Sequence, residues 1–257
     1  MPVPQLNTKN LHAQLDRLAN RGRFVDRQSV EYRSLEREIQ KVIKAPGAAA
    51  DGYGLMGALS SIAGDVEGVR ENYRKALLLR QDPVIRGNRA ISLMNVGQFR
   101  EAAEDASYLE RPELGNLEVA IKLNIELARF RHAIKLMNKR NELNNEKPNE
   151  LGVFPKIVEI LDRAKISDDA FLPALDIIGG ILRSFRIIVF TEPLVNVVND
   201  DGVDAILFRF GVPASPQETV DLETKAIDAL FSSGLEIHQS IIRYGFLAHS
   251  ETALNAA

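Results

Sequence analysis

Few residues of this chain have the types and spacing that chemistry requires. Gly52-Tyr53-Gly54-Leu55-Met56-Gly57 matches the G-x-G-x-x-G pattern, in which a tight glycine turn aims a helix N-terminus at a dinucleotide pyrophosphate. That turn must follow a strand, and Ala48-Ala49-Ala50-Asp51 does not read as one, so no nucleotide site is expected here. His12, His132, His238 and His249 show no metal-ligand spacing such as two on one helical turn. The lack of cysteine excludes thiolate zinc sites, disulfides and cysteine nucleophiles. No G-x-S-x-G, Walker A or paired-carboxylate arrangement is present, so the sequence predicts no enzyme, no cofactor and no metal. A run of cations does stand out: Arg129, Arg131, His132, Lys135, Lys139 and Arg140. Its ordinary reading is a solvated helix face. Its functional reading is a basic patch for an acidic partner, one candidate being the acidic C-terminal unit of this or a neighbouring copy.

Composition sets the frame for these residues. A chain of 257 residues with 45% hydrophobic content can bury a full core, and suits an elongated repeat domain plus a smaller unit. The first ten residues lack the apolar core of a secretory signal. The most apolar later stretch, Phe171 to Leu182, is too short to span a bilayer and contains Pro173 and Asp176. A cytoplasmic protein with no membrane contact is expected. The net charge of −3 hides a polarity: residues 1–44 carry nine basic and five acidic side chains, residues 186–257 four basic and ten acidic. A basic N-terminal arm could track nucleic acid, but Asp16, Asp26, Glu31, Glu36 and Glu38 alternate with its cations and favour local pairs.

The elements that would position these groups are mainly helices. Leu11, Leu15 and Leu18, then Leu35, Ile39 and Val42, stand at helical spacing on either side of Arg21-Gly22-Arg23 and predict a hairpin over residues 1–45. After the small-residue linker 46–50, residues 51–184 read as helix pairs, with turns at Gly64-Asp65 and Gly97-Gln98, breaks at Pro83 and Pro112, and a capping pair over 151–165 and 170–182. Residues 185–248 change character. Phe185 to Phe190 and Val195 to Val198 predict strand, Asp200-Asp201-Gly202 a turn, and Ala205 to Phe210 a second strand. Ser215-Pro216-Gln217-Glu218 marks a helix start, with a capping serine, proline at the first position and a capping-box glutamate; the helix should run to about Ser232. A final strand is predicted over Leu235 to Phe246, apolar on both faces, giving a small ββαβ unit that folds separately and pairs with a second copy. Residues 249–257 form a tail.

Two stretches 33 residues apart carry matching small and apolar positions: Gly57, Gly64, Val69, Tyr73, Ala76, then Ala90, Gly97, Ala102, Ala106, Leu109. Ala128, Phe130, Ala133 and Met137 repeat the pattern 31 residues after Gly97, Phe99, Ala102 and Ala106. With these positions the chain resembles the tetratricopeptide repeat family. The resemblance implies a solenoid of antiparallel helix pairs whose inner groove holds a segment of another protein. Gly87-Asn88-Arg89-Ala90 also looks like the second repeat of chaperone-binding members, which would give Asn88 a contact to a peptide carboxylate. The cations of that clamp are missing, since the flanking helices offer Gly54, Ala58, Gly115 and Val119, so chaperone-tail specificity is not expected. Arg243 to His249 loosely resembles the R-x5-H pattern of helical RNases of the HEPN type, but starts in a predicted strand.

The groove should be lined by residues of the first helix of each pair: Gly54, Ala58, Ser61 and Ile62, then Gly87, Asn88, Ile91, Met94 and Asn95. Such a small, fairly apolar lining suits an amphipathic helix or an apolar segment held close to the backbone. The expected function is a non-enzymatic adaptor or chaperone-like scaffold, with a nucleic-acid-associated regulator using the basic N-terminal hairpin as the alternative.

Overall fold

The computed structural model describes residues 8–111, 117–144, 152–189, 192–235 and 241–248. Among these the chain is mostly helical, with a three-stranded sheet near the C-terminal end. Apolar residues three and four apart build the first two helices: α1 (Thr8–Ala19) buries Leu11, Leu15 and Leu18, and α2 (Val30–Lys44) buries Tyr32, Leu35, Ile39 and Val42 behind a Ser29 N-cap. Then follow α3 (Ala49–Ile62), α4 (Val66–Leu79), α5 (Pro83–Asn95), α6 (Phe99–Leu109), α7 (Leu117–Glu126), α8 (Phe130–Asn144), α9 (Phe154–Ala164) and α10 (Leu172–Ser184). Helices α3 and α4, α5 and α6, and α7 and α8 pack as pairs; α3 also packs on α5 and α5 on α7.

One turn geometry joins the pairs. Gly64, Gly97 and Ala128 all have left-handed φ, at 75°, 71° and 57°. In each, the amide of the following residue reaches back to a carbonyl one turn up: Asp65 N to Ser60 O, Gln98 N to Leu93 O and Arg129 N to Asn124 O, at 3.0, 2.8 and 2.7 Å. This is the glycine-type helix stop. Ala128 adopts it without glycine, so the backbone pattern persists where the sequence pattern has lapsed. Lys165 closes α9 the same way at φ 58°.

The glycines that resembled a nucleotide motif lie inside α3 and serve packing. A Cβ on Gly52 would stand 2.7 Å from the Ile43 nitrogen of α2, and one on Gly57 would stand 2.5 Å from Cδ2 of the Tyr73 ring, while Gly54 faces open space. Tyr73 is fully buried, and its hydroxyl lies 2.9 Å from Ser92 Oγ on α5, joining one helix pair to the next.

The C-terminal unit has the predicted order of elements. Strands β1 (Leu194–Asp200) and β2 (Val203–Val212) form an antiparallel hairpin around Asp201 and Gly202, both with positive φ, as a two-residue Asp-Gly turn requires. Helix α11 (Pro216–Ser232) starts where Ser215 Oγ accepts from Glu218 N, and β3 (Ile242–Ala248) then pairs parallel to β2 as an edge strand. One strand expectation needs correction. Phe185 to Val189 makes only an isolated bridge, Ile187 to Arg23, because this stretch bonds to the N-terminal hairpin: Phe24 N donates to Arg186 O and Ile188 N to Gly22 O, each at 2.9 Å. The last strand is described over Ile242–Ala248, and residues 236–240 of the stretch expected from Leu235 lie outside the described residues.

This unit shares its core with the helices. Phe208 meets Phe130 edge-on at 6.4 Å and Phe210 meets Phe99 at 6.3 Å between ring centroids. Helix α10 packs on both α6 and α11, with Gly179 against Gly97 backbone to backbone. The boundary at residue 185 is therefore a change of secondary structure without a break in packing. Among the described residues no helix is long and apolar enough to cross a membrane.

Candidate functional site

The helices α5 and α7 and the strand β2 leave between them a cavity of about 320 Å³. Ile91, Met94 and Asn95 on α5 form one wall; Val119, Lys122, Leu123 and Glu126 on α7 form the opposite one. Phe99 and Phe210 lie at the inner end, Val189 and Pro193 come from the segments on either side of 190–191, and Asp16 contributes from α1. The residues fall here for simple reasons. Ile91, Met94 and Asn95 sit three and four apart on one helix face, as do Val119, Lys122, Leu123 and Glu126, and the α5–α7 contact turns the two faces together.

The electrostatics of this cavity are uneven. Asn95 is only 6% exposed and turns its face of α5 to the cavity. Glu126 has 14% of its side chain exposed and lies 3.8 Å from Lys122. Burial pushes its carboxyl up to about 7; the Lys122 ammonium pulls against this and the Glu192 carboxylate adds to it.

Of the nine residues expected to line a groove, the structure brings Ile91, Met94 and Asn95 into this cavity. Gly54, Ala58 and Asn88 are half-buried. Ser61 and Ile62 are 2% exposed and offer no surface: Ser61 Oγ donates to Ala58 O at 2.8 Å, while Val25 N donates to Ile62 O at 2.9 Å. The N-terminal hairpin, with α1 packed on α3, covers the face expected to be open. Gly87 is buried too, with Val119 and Leu109 beside it. Sequence reasoning missed Asp16, Lys122, Glu126 and Phe210. A signal for Glu126 was available, since it lies directly between the apolar Ile125 and Leu127.

The cationic run is mostly paired within the chain. Arg129, 4% exposed, reaches Asp169 at 3.0 Å, Ser107 at 3.0 Å and Glu110 at 3.4 Å. Arg131 holds Asp168 at 2.9 Å and Asp162, His132 lies 3.0 Å from Glu110, and Arg140 lies 3.2 Å from Glu118. These acids belong to the helical part, so within the chain the run is engaged by neighbouring helices. Lys135 and Lys139 border an open depression with Asn138 and Glu142. Asn124 and Asp105 are buried among the helix pairs, Asp105 between Arg86 and Arg89 at 3.1 and 3.3 Å.

Arg243 of the RNase-like pattern is on β3, and its partner His249 lies outside the described residues, as does Gly115. Among the described residues no group of three or more His, Asp or Glu is placed to hold a metal ion. No protein-family profile, curated protein or solved structure matches the chain.

Proposed function

We propose that this protein is a non-enzymatic interaction scaffold of the tetratricopeptide type, an adaptor or chaperone-like binder, that holds a segment of a partner protein at the cavity between α5 and α7. The packing of α3 on α5 and α5 on α7, with one turn geometry recurring at Gly64, Gly97 and Ala128, supports the solenoid reading. The single observation that carries the site is the cavity itself: largely apolar walls that include the amide of Asn95, a donor and acceptor for a partner's backbone or side chain. Ile91 is 39% exposed at its rim. A partner recovered from native extract should therefore contain one short segment that binds directly to the wild type and not to Ile91→Arg, with the fold intact. Equal binding of that segment to both proteins would place the site elsewhere.

A second contact between two copies is supported by α11, where Val220, Ile227 and Phe231 are 53, 51 and 67% exposed beside the edge strand β3. The nucleic-acid alternative has weaker support. Arg27, Arg33 and Arg37 border an open depression on α2, but Arg21, Arg23, Arg27 and Lys41 are engaged by Glu31, Glu218, Asp65 and Glu38.

A further inference from the structure

We infer that the cavity between α5 and α7 is a receptor for a lysine side chain of the partner segment, its aliphatic stem lying along Met94 and Phe210 and its ammonium held by Glu126, with Asp16 and Asn95 completing the polar end. This rests on the scaffold reading above and names what the site recognises.

Three observations lead there. The first is shape and lining: an apolar body with its polar groups drawn from α1, α5 and α7 matches a group that is itself apolar along most of its length and charged at one end. The second is charge. Asp16 and Glu126 line the cavity and Glu192 acts on Glu126 from the segment before β1, against one cation, Lys122, among the described lining residues. An added ammonium balances this set and an added carboxylate worsens it. The third is Asn95, which lines the cavity and carries a side-chain carbonyl oxygen, an acceptor for an ammonium.

The same groups fix how binding must depend on pH. Glu126 titrates at about 7, so below that pH it is a neutral acid and offers no counter-charge. A lysine ammonium keeps its charge throughout, having an ordinary pKa of about 10.4. Asp16 and Glu192 are exposed, and Lys122 is 62% exposed. Binding of the ammonium should therefore strengthen from pH 6 to pH 8 and release a proton from Glu126 at the lower end.

The test uses the full chain and n-butylammonium, the side chain of lysine without its backbone, with 1-butanol and butyrate as neutral and anionic controls and n-butylguanidinium as the arginine counterpart. Chemical shifts of the Met94 methyl and the Glu126 carboxyl carbon are followed by NMR. Butylammonium should shift Met94 with an affinity at pH 8 about tenfold above that of butanol, and the advantage should shrink several-fold at pH 6. Glu126→Gln should bind butylammonium and butanol alike at both pH values. Butanol equal to butylammonium in the wild type at pH 8 would overturn the inference, as would preference for butyrate, which would make Lys122 the anchor, or for butylguanidinium. The wild-type comparisons carry the test even if the variant folds poorly. If they fail while Ile91→Arg still blocks the partner segment, the scaffold reading stands and only the lysine is wrong.

Discussion

The Arg23 guanidinium reaches across the molecule to the Glu218 carboxylate at 2.7 Å, and the same guanidinium donates to Pro213 O at 2.7 Å and Phe185 O at 3.2 Å. Arg23 follows the first helix of the chain and Glu218 opens the last, so the basic and acidic ends meet. The ion pair draws the Glu218 carboxyl below its ordinary range. Both partners are about a third exposed, so the bond contributes little energy; its importance lies in what it holds in place.

Truncation after Ser184 should expose apolar surface. It removes Phe208 and Phe210 from Phe130 and Phe99, and each buried aromatic is worth about 1.5–3 kcal/mol. The truncated chain should bind a hydrophobic dye and aggregate at tens of micromolar, where the full chain does neither. A soluble truncated chain with the full-length denaturation midpoint would show that the shared core is dispensable.

Two glycines on one helix should respond in opposite directions to alanine. Gly57→Ala drives a methyl into the Tyr73 ring and should destabilise by about 1–3 kcal/mol. Gly54→Ala meets nothing and should stabilise by about 0.5–1 kcal/mol through helix propensity. Denaturant midpoints of the two variants against wild type decide it; the same sign for both would be inconsistent with the placement of Tyr73.

Lys165→Gly should raise stability by about 0.5–1 kcal/mol. Lys165 is exposed and held at φ 58°, where glycine lacks the steric penalty of a Cβ. No gain in the denaturation midpoint would mean that the stop of α9 does not use this geometry.

Glu126 makes stability depend on pH in a defined direction. Its folded carboxyl titrates at about 7 against 4.5 for the ordinary group, so between these values the folded state holds more protons than the unfolded one. Stability from this group is fully present below pH 4.5 and is lost as pH rises through 7, with a ceiling of about 3 kcal/mol. Glu126→Gln should thus melt higher than wild type at pH 8 and close to it at pH 4.5. An equal difference at both pH values would show an unperturbed carboxyl.

The helices and their turns were legible because their causes are local: Leu11, Leu15 and Leu18 declare a face, Ser215-Pro216 a start and Gly64 a stop. The stretch from Phe185 to Val189 was not. Its β-branched residues satisfy strand propensity equally well when their backbone groups bond to Gly22, Arg23 and Phe24, some 160 residues earlier. The site was half legible for the same reason. The spacing of Ile91, Met94 and Asn95 put them on one face, but the residues that make that face a cavity, Phe210 and Asp16, arrive from opposite ends of the chain. Ser61 and Ile62 shared that kind of face and were covered by the N-terminal hairpin.

The central claim is that the α5–α7 cavity holds a partner segment, and site-directed photo-crosslinking tests it most directly. A benzoyl-phenylalanine at Ile91, on the cavity rim, and one at Val84, exposed at the start of the same helix, are irradiated in native extract and the linked peptides sequenced. The account predicts that Ile91 links to one contiguous, lysine-containing segment of one partner and that Val84 does not. Links from Ile91 scattered over unrelated proteins, or the same segment recovered from Val84 alone, would contradict it.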